Sequence, residues 1–302
     1  MIKLKFRMVS LGTISPSLDP GDWYASLDMK DAYFYIAIYP PHRRYLRFVV
    51  NHQHFQFTVL PFGLSAALRV FTKCMAVVAT SLRRRRVHVY PYLDDWLIRG
   101  TSESQVRHHL YIVKDLFRSL GLMINIEKST LIPMQRIDFI GTILDSTLAR
   151  ACLLQPRFQA MATIIQSLQT FRTTSARACL SLLDHMAACT FVTKHARLRL
   201  RPFQTWLASV YWPGRESLDL ILTVPPNVLG SLTWWLTPTL VCAGMPFHPP
   251  QPSMALTTDA SSLGWGDRLE GLRTQGLWSA QELTLHINVR ERRAVRLACQ
   301  VF

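Results

Sequence analysis

Three aspartates stand where their carboxylates could hold divalent cations. Asp94 and Asp95 are adjacent in the apolar stretch PYLDDWLI, and Asp28 lies upstream in SLDMKDAY. Adjacent carboxylates in an apolar stretch resist desolvation unless a cation compensates their charge. Carboxylates from separate strands can hold two hard cations about 3.5 to 4 Å apart, which activate the attacking oxygen and stabilise the leaving oxygen of a phosphoryl transfer. Magnesium suits such a site because it takes oxygen ligands and shares them with substrate phosphates.

The sequence around the adjacent aspartates predicts a β-hairpin with the acidic pair at its tip. HVYPY before the pair and WLI after it are rich in β-branched and aromatic residues. SLDMKDAYFYIAIYP predicts a neighbouring strand that ends near Asp28. If the two elements lie side by side, Asp28 faces the tip. The pair alone is weak support for a metal site, since adjacent aspartates are common in solvated turns.

Further motifs follow Asp28 in a set order. Tyr33 comes first, then LPFGLS, YLDDWLI and GLMINIEKSTLIPMQRIDFIG. In order and spacing these motifs resemble motifs A to E of a reverse transcriptase palm. Their amino-acid sequences are similar to the polymerase of DIRS-type retrotransposons, the tyrosine-recombinase retroelements. The same similarity is seen in VFTKCMAVVA, HARLRLRP, TDASSLGWG and LHINV. The resemblance extends over nearly all 302 residues.

The resemblance implies an α/β (α+β) fold built as a right-hand polymerase. We expect a palm with an antiparallel sheet and partial fingers, a helical thumb or connection, and a partial ribonuclease H-like fold at the C-terminus. The expected segments are 1–150 for palm and partial fingers, 151–245 for the mainly helical thumb or connection, 246–253 for a proline-rich linker, and 254–302 for a truncated ribonuclease H-like domain.

Matching motif to motif implies the site residues. Asp28, Asp94 and Asp95 would bind two Mg²⁺ ions, and Lys128 would protonate the leaving pyrophosphate; the alternative for Lys128 is an ordinary surface lysine. Tyr33 would lie beneath the incoming sugar and exclude a 2′-hydroxyl, which implies DNA synthesis. The remaining substrate positions are Phe62, Gly63 and Tyr92, with Gly63 allowing close backbone approach.

Several basic residues are candidates for contacts with phosphate. Because the chain begins almost at motif A, we expect most of the fingers to be missing, with part of the triphosphate clamp supplied by HRRYLRF. KHARLRLRPFQTW alternates basic and apolar residues, which favours a thumb-like contact with the duplex. FIG in motif E would grip the primer end, although it is also ordinary core sequence. The residues concerned are Arg43, Arg44 and Arg47; Arg197, Arg199 and Arg201; and Phe139 and Gly141. The run from Arg83 to Arg86 fits a template contact, a nuclear import signal or a solvated loop.

The overall charge agrees with a polyanionic partner. The chain has 34 basic and 19 acidic residues, a net charge of +15, and such a surface attracts nucleic acid with an affinity that falls as salt rises. Six scattered cysteines without a CxxC spacing predict reduced core thiols, and no HExxH occurs, so zinc is not expected.

Neither secretion nor membrane insertion is expected. The basic start MIKLKFRMVSLG lacks the apolar stretch of a signal peptide. Residues 220–247 carry no charge, but four prolines argue against a membrane span, and a helix over about 227–236 is the better interpretation. We expect a protein of the nucleus or cytoplasm.

The C-terminal sequence resembles the opening of a ribonuclease H domain. Asp259 in TDASS matches the metal aspartate of the first strand, and Glu291 matches the glutamate of the first helix. That site needs further aspartates, and the sequence stops at Phe302. Arg290 and Arg292 stand where relatives have apolar residues. We therefore expect no ribonuclease H activity.

Together these features predict a fragment of a retroelement, truncated at both ends. The first hypothesis is an RNA-directed DNA polymerase that acts on an RNA/DNA primer–template with deoxynucleoside triphosphates and magnesium. The alternative is a catalytically inactive nucleic-acid-binding remnant. A structural or interaction protein has only the tryptophans and the apolar composition in its favour. The oligomeric state stays open.

Overall fold

A computed structural model describes residues 8–302. The N-terminal segment MIKLKFRMVSLG is the basis for expecting no signal peptide. Its first seven residues, Met1–Arg7, lie outside the described residues. The chain divides into two units, the first ending at His248 and the second beginning at Pro249.

Both units contain strands and helices. The strands are β1 Trp23–Met29, β2 Arg47–Val50, β3 Gln53–Gln56, β4 His88–Tyr92, β5 Asp95–Gly100, β6 Ile124–Met134, β7 Arg136–Phe139, β8 Thr142–Asp145, β9 Arg150–Leu153, β10 Thr173–Ser175, β11 Ile221–Thr223, β12 Met245–Pro246, β13 Leu256–Ala260, β14 Gly264–Leu269 and β15 Leu272–Leu277. The helices are α1 Leu11–Ile14, α2 Ala67–Arg84, α3 Glu103–Ser119, α4 Gln155–Phe171, α5 Ala176–Ala188, α6 Ala196–Arg199, α7 Arg201–Val210, α8 Pro226–Leu232, α9 Pro238–Val241, α10 Ala280–Leu283 and α11 Ile287–Val301.

The central sheet has the order β4-β5-β1-β6 with antiparallel neighbours. Alternation in β1 sends Ala25, Leu27 and Met29 to one face, where they share a core with α2 and α3. Both helices bury residues at three- and four-residue spacing, which produces an apolar stripe. The ring centroids of Trp96 and Phe117 lie 5.1 Å apart at the centre of this packing. The helices therefore cover one face of the sheet and leave Asp28 and its neighbours on the other.

A second sheet has the order β12-β9-β8-β7. Its β7–β8 hairpin turns through Ile140 and Gly141, both with positive φ, as a two-residue turn with the twist of the strands requires. The proline-rich segment begins inside this sheet, because Met245 pairs with Ala151 and Phe247 is buried. The predicted linker over 246–253 therefore starts too early.

The helical segment between these strands packs around large apolar side chains, among them Phe158, Phe203 and Trp235. The predicted helix over about 227–236 is α8 followed by a 3₁₀ turn over Thr233–Leu236. One feature was not predicted here, the two-stranded β10–β11 sheet.

The second unit consists of the antiparallel sheet β13-β14-β15 and the helices α10 and α11. Ala294 and Ala298 are the buried residues of α11, so small side chains form its packed face.

A buried ion pair fixes the start of β1 against β5. The Nε of Arg99 lies 2.6 Å from Oδ2 of Asp22, whose side chain is 2% exposed, and the guanidinium also pairs with Asp19. Ser146 donates a hydrogen bond of 2.6 Å to the carbonyl of Asp22 and accepts one from the backbone of Gly21 through its own carbonyl. This cluster joins the central sheet to the second sheet.

We predict that Arg99→Leu lowers the free energy of unfolding by about 3 to 5 kcal/mol, because it leaves the Asp22 carboxylate buried without a cation. Urea denaturation measures the change. Arg107→Leu is the matched control: Arg107 pairs with Glu103 on the exposed face of α3, and its loss should cost no more than about 0.5 kcal/mol. Adding Asp22→Asn to Arg99→Leu should restore part of the loss. Equal effects of the two single substitutions would contradict the role of the buried pair.

Candidate functional site

The three aspartates lie at one end of the central sheet. Asp28, at the end of β1, is directly opposite Asp95, the first residue of β5. Asp94 belongs to the turn that joins β4 to β5, and its carbonyl accepts a hydrogen bond of 2.9 Å from the backbone of Met29. The predicted hairpin and the predicted neighbouring strand are thus both present, and Asp28 stands at the hairpin tip.

The turn before Asp95 is held in an unfavourable conformation. Leu93 has a φ of 55°, in the left-handed region that residues other than glycine rarely adopt. A two-residue hairpin turn with positive φ at its first position normally has glycine there. Such local strain is typical of functional sites, and here it fixes the backbone that carries Asp94.

The carboxylates act on one another electrostatically. Burial raises the pKa of Asp95 to about 6, with further increases from the charges of Asp94 and Asp28 and an opposing effect of Lys128. Burial also raises the pKa of Asp28, followed by the charge of Asp94, while Lys128 and a hydrogen bond from Asn125 oppose the increase. Three carboxylates and one lysine therefore share a single electrostatic environment.

Two residues that the sequence analysis did not single out position Asp28. The backbone N–H of Asp28 donates to Oγ of Ser129 at 3.0 Å, and this hydroxyl donates to the carbonyl of Asn125 at 2.6 Å. The register of β1 against β6 shifts between Ser26 and Asp28, and such bulges often redirect side chains beside active sites. Both residues lie within GLMINIEKS, so their presence in the motif was the available signal.

The carboxylates have the donor chemistry that magnesium prefers, and their mutual repulsion is what a cation would relieve. Within residues 8–302, however, no three acidic, histidine or cysteine side chains are grouped closely enough to hold a metal ion. The aspartates thus fit magnesium in ligand type, and a bound ion would need further oxygen ligands or a movement of these side chains.

Tyr33 lies beside the aspartates in an aromatic group. Its ring centroid is 4.8 Å from those of both Phe62 and Phe71. Burial raises the pKa of Tyr33, and the charge of Asp94 raises it further. Phe62 is 63% exposed. Phe62 therefore presents an exposed aromatic surface beside Tyr33.

Gly63 and Gly141 both have a positive φ, and Gly141 also has a close neighbour. Gly63 has a φ of 82°, and an added Cβ would meet no atom within 4 Å among the described residues. Its backbone conformation, rather than a close approach within the chain, therefore requires glycine. An added Cβ at Gly141 would lie 2.8 Å from the guanidinium of Arg157. Arg157, which the sequence analysis missed, thus lies at the tip of the β7–β8 hairpin.

Phe139 has a different role from the predicted contact with nucleic acid. Its side chain is only 3% exposed and belongs to the core of the first unit. The alternative that FIG is ordinary core sequence is correct for this residue.

The arginines expected in the triphosphate clamp make local contacts. Nε of Arg43 donates to the carbonyl of Ile38 at 3.0 Å, and Arg44 bonds to the hydroxyl of Tyr45. Arg47 is exposed on the β2–β3 hairpin, and Tyr92, at the end of β4, is partly buried. The structure gives none of the three arginines a contact with the aspartates.

The three arginines of the thumb-like segment differ in their surroundings. Arg197 and Arg201 line a groove of about 500 Å³ between α5 and the helices α6 and α7, together with Asp184. The guanidinium of Arg199 instead lies 5.5 Å from the ring centroid of Trp234, a cation–π contact that stabilises the packing.

The two acidic residues expected in the ribonuclease H-like segment are both exposed, Asp259 on β13 and Glu291 on α11. The sequence analysis missed a third carboxylate, Asp267 in GWGDRL. It is 6% exposed, neither of its oxygens has a hydrogen-bond partner in the part of the chain that the structure describes, and burial raises its pKa. Arg290 donates to the carbonyl of Ser262 at 2.8 Å.

The prediction of six core thiols is wrong for two of them. Cys74 and Cys299 are exposed, because they lie on the outer faces of α2 and α11, whereas Cys179 and Cys189 are buried.

Comparison with known proteins finds a family match in the first part of the chain. Residues 7–144 match a family model described as reverse transcriptase (RNA-dependent DNA polymerase). This part of the chain is therefore similar to reverse transcriptase domains. It contains the three aspartates, Tyr33, Gly63 and Lys128.

Viral polyproteins share a longer part of the sequence. The chain is 25% identical over 260 residues, 84% of its length, to the enzymatic polyprotein of figwort mosaic virus (strain DxS), of which it covers 35%. It is 26% identical over 164 residues to protein P of a duck hepatitis B virus (isolate white Shanghai duck S31), of which it covers 20%. The chain thus spans about a third or less of these relatives.

Solved structures support the fold. The foamy viral protease-reverse transcriptase in complex with RNA/DNA hybrid has a TM-score of 0.66 at 13% identity, over 97% of this chain and 38% of that one. The same protein in complex with dsDNA has a TM-score of 0.65 at 15% identity, over 100% and 61%. The expected α/β fold with a polymerase palm is confirmed. Across residues 8–302, no helix combines the length and apolar character needed to cross a bilayer.

The raised pKa of Asp95 predicts a pH-dependent gain of stability in Asp95→Asn. The folded-state pKa of about 6 lies above the ordinary 3.8, so the stability that this group contributes is present below about pH 4 and is lost as the pH rises through 6. We expect Asp95→Asn to be more stable than the unmodified chain by about 1 to 2 kcal/mol at pH 8, after allowance for solvent screening. The difference should vanish near pH 4. Thermal denaturation in EDTA measures it.

Asp138→Asn, at an exposed position of β7, is the control and should be neutral at both pH values. Destabilisation by Asp95→Asn at pH 8 would show that the carboxylate is not under electrostatic strain.

Proposed function

We propose that the chain is an RNA-directed DNA polymerase that uses two magnesium ions for phosphoryl transfer. The observation that carries the proposal is the placement of Asp28 opposite Asp95, with Asp94 in the adjoining turn. Their shared electrostatic field supports it, because repelling carboxylates form a site for hard cations. The bound ions would activate the primer hydroxyl and neutralise the leaving pyrophosphate.

Other residues of the domain have roles in this proposal. Lys128, which is exposed and acts electrostatically on Asp28 and Asp95, would donate a proton to the pyrophosphate. Tyr33 would exclude ribonucleotides by contact with the sugar. The exposed ring of Phe62 would lie against the nascent base pair. Asn125 and Ser129 would position Asp28 without contacting substrate.

Nucleic acid is the proposed macromolecular partner. The foamy viral protein was solved with dsDNA and with an RNA/DNA hybrid, and the net charge of +15 favours a polyanion. Arg197 and Arg201 are exposed and line an open groove, so we propose that they contact phosphate, together with the hairpin tip at Gly141. Arg199 is a stabilising residue in this proposal.

We infer a ribonuclease H-like origin for residues 254–302. The antiparallel sheet β13-β14-β15 followed by α11 supports this inference, with Asp259 and Glu291 in positions that match the resemblance. Since the described residues contain no three-ligand group here, we expect no hydrolysis of RNA in a hybrid by this segment alone. The amino-acid sequences of the motifs favour a DIRS-type element as the source.

A primer-extension assay tests the polymerase. We expect magnesium-dependent extension of a DNA primer on an RNA template, and a loss of at least a hundredfold in rate for Asp94→Asn, since one metal ligand is removed. Asp138→Asn should extend at the unmodified rate. Fluorescence anisotropy with the same duplex should show that Asp94→Asn still binds.

Binding without extension by the unmodified chain would instead favour the inactive remnant. Extension by Asp94→Asn at the unmodified rate would refute the assignment of the metal ligands.

A salt titration tests the groove. In a plot of the logarithm of the binding constant for duplex DNA against the logarithm of the salt concentration, the slope should decrease in magnitude by about 0.9 for each phosphate contact removed. The double variant Arg197→Gln with Arg201→Gln should therefore reduce it by about 2. Arg199→Gln should leave the slope unchanged and lower the thermal stability, because it removes the contact with Trp234. A slope that falls equally per charge in all variants would contradict a specific contact by the groove.

A further inference from the structure

A basic pocket of about 670 Å³ lies beyond the end of β1, and none of the three aspartates lines it. Its cations are Lys30, Lys114 and Arg118, which come from the end of β1 and from α3. The rest of the lining is mainly apolar and includes Met123, Ile124 and Ile126. Among the residues that the structure describes, no acidic side chain lines this pocket.

The three cations have no charge partner within the described chain. None of them lies within 4 Å of a carboxylate in residues 8–302. A basic residue in the last turn of a helix interacts favourably with the helix dipole, which accounts for the position of Arg118. It does not account for Lys30, which comes from another element. Three like charges around one pocket repel each other, and an anion bound between them would remove this repulsion.

The floor of the pocket is anchored to the segment that follows Asp28. The backbone of Lys30 donates to the carbonyl of Met123 at 3.0 Å, and the backbone of Met123 donates to the hydroxyl of Tyr35 at 2.9 Å. Two bonds thus fix the apolar wall relative to the cations. Met123 is 52% and Ile126 61% exposed, so apolar surface stands open beside the positive charge.

This combination defines a ligand class. Three cations in one pocket favour a polyanionic ligand, and exposed apolar side chains suit a flat, weakly polar ring. The volume lies in the range of small-molecule sites, which favours one mononucleotide over a strand of nucleic acid.

We propose that this pocket binds a nucleoside triphosphate at a site separate from the polymerase carboxylates. The phosphates lie against Lys30, Lys114 and Arg118, and the base lies against Met123 and Ile126. The inference goes beyond the proposed polymerase activity and does not depend on metal binding by the aspartates.

Isothermal titration of the full chain with dTTP in EDTA and low salt tests the proposal. Without divalent ions the aspartates repel a triphosphate, so binding reports the basic pocket. We expect one site per chain, and an affinity at least tenfold lower in Lys114→Gln with Arg118→Gln. The control, Arg292→Gln with Arg296→Gln, removes the same charge from exposed positions of α11 and should change the affinity less than twofold.

A second pair of measurements tests the apolar wall. Met123→Ala should weaken dTTP severalfold and leave inorganic pyrophosphate unchanged, because only the base contacts that wall. Thermal denaturation checks that each variant is folded.

Three results would overturn the proposal. The first is no binding of dTTP, and the second is an equal loss of affinity in both double variants. The third is displacement of dTTP by a tetranucleotide without a triphosphate, at a tetranucleotide concentration below that of dTTP. The last result would assign the pocket to single-stranded nucleic acid. Primer extension is scored separately, so dTTP binding by a chain that does not extend primers would refute only the polymerase, and the reverse result would refute only the pocket.

Discussion

The pairing of β1 with β5 sets two like charges opposite each other, and the rest of the first unit must tolerate that arrangement. Opposed carboxylates destabilise an antiparallel pair, here between Asp28 and Asp95. The opposite face of the sheet supplies the compensating stability, because α2 and α3 bury an apolar core that includes Trp96 and Phe117. Stability and the proposed chemistry thus occupy separate faces of one sheet, and alternation along each strand keeps them apart.

The sequence predicted those features that depend on local pattern. The alternating, β-branched strands around YLDD define the hairpin, and the motif order places Asp28 on its neighbour. Side-chain surroundings could not be predicted in the same way. Whether Phe139 contacts a ligand or the core depends on residues distant in sequence. The cation–π contact between Arg199 and Trp234 depends on such residues too. The short β10–β11 pair has no periodicity of its own, and Phe247 lies in a proline-rich segment that resembles a linker.

The net charge overstates the number of arginines available to a ligand. Arg99 is committed to a buried ion pair, Arg199 to an aromatic ring and Arg43 to a backbone carbonyl. The arginines without such a contact are concentrated at particular places, among them Arg84 to Arg86 at the end of α2 and the groove beside α7. Local contacts, rather than the sum of charges, therefore decide where a polyanion can bind.

The pairing of β12 with β9 has a consequence for folding. Ala151 and Met245 are neighbours in the sheet, yet the chain between them forms a loop of about ninety residues. Closing a long loop carries an entropic penalty that must be met before the strands can stabilise each other, and non-local pairings of this kind slow folding. We therefore expect the intervening helices to gain order first and β12 to join late. In a chain made on the ribosome, the second sheet stays incomplete until the proline-rich segment has emerged.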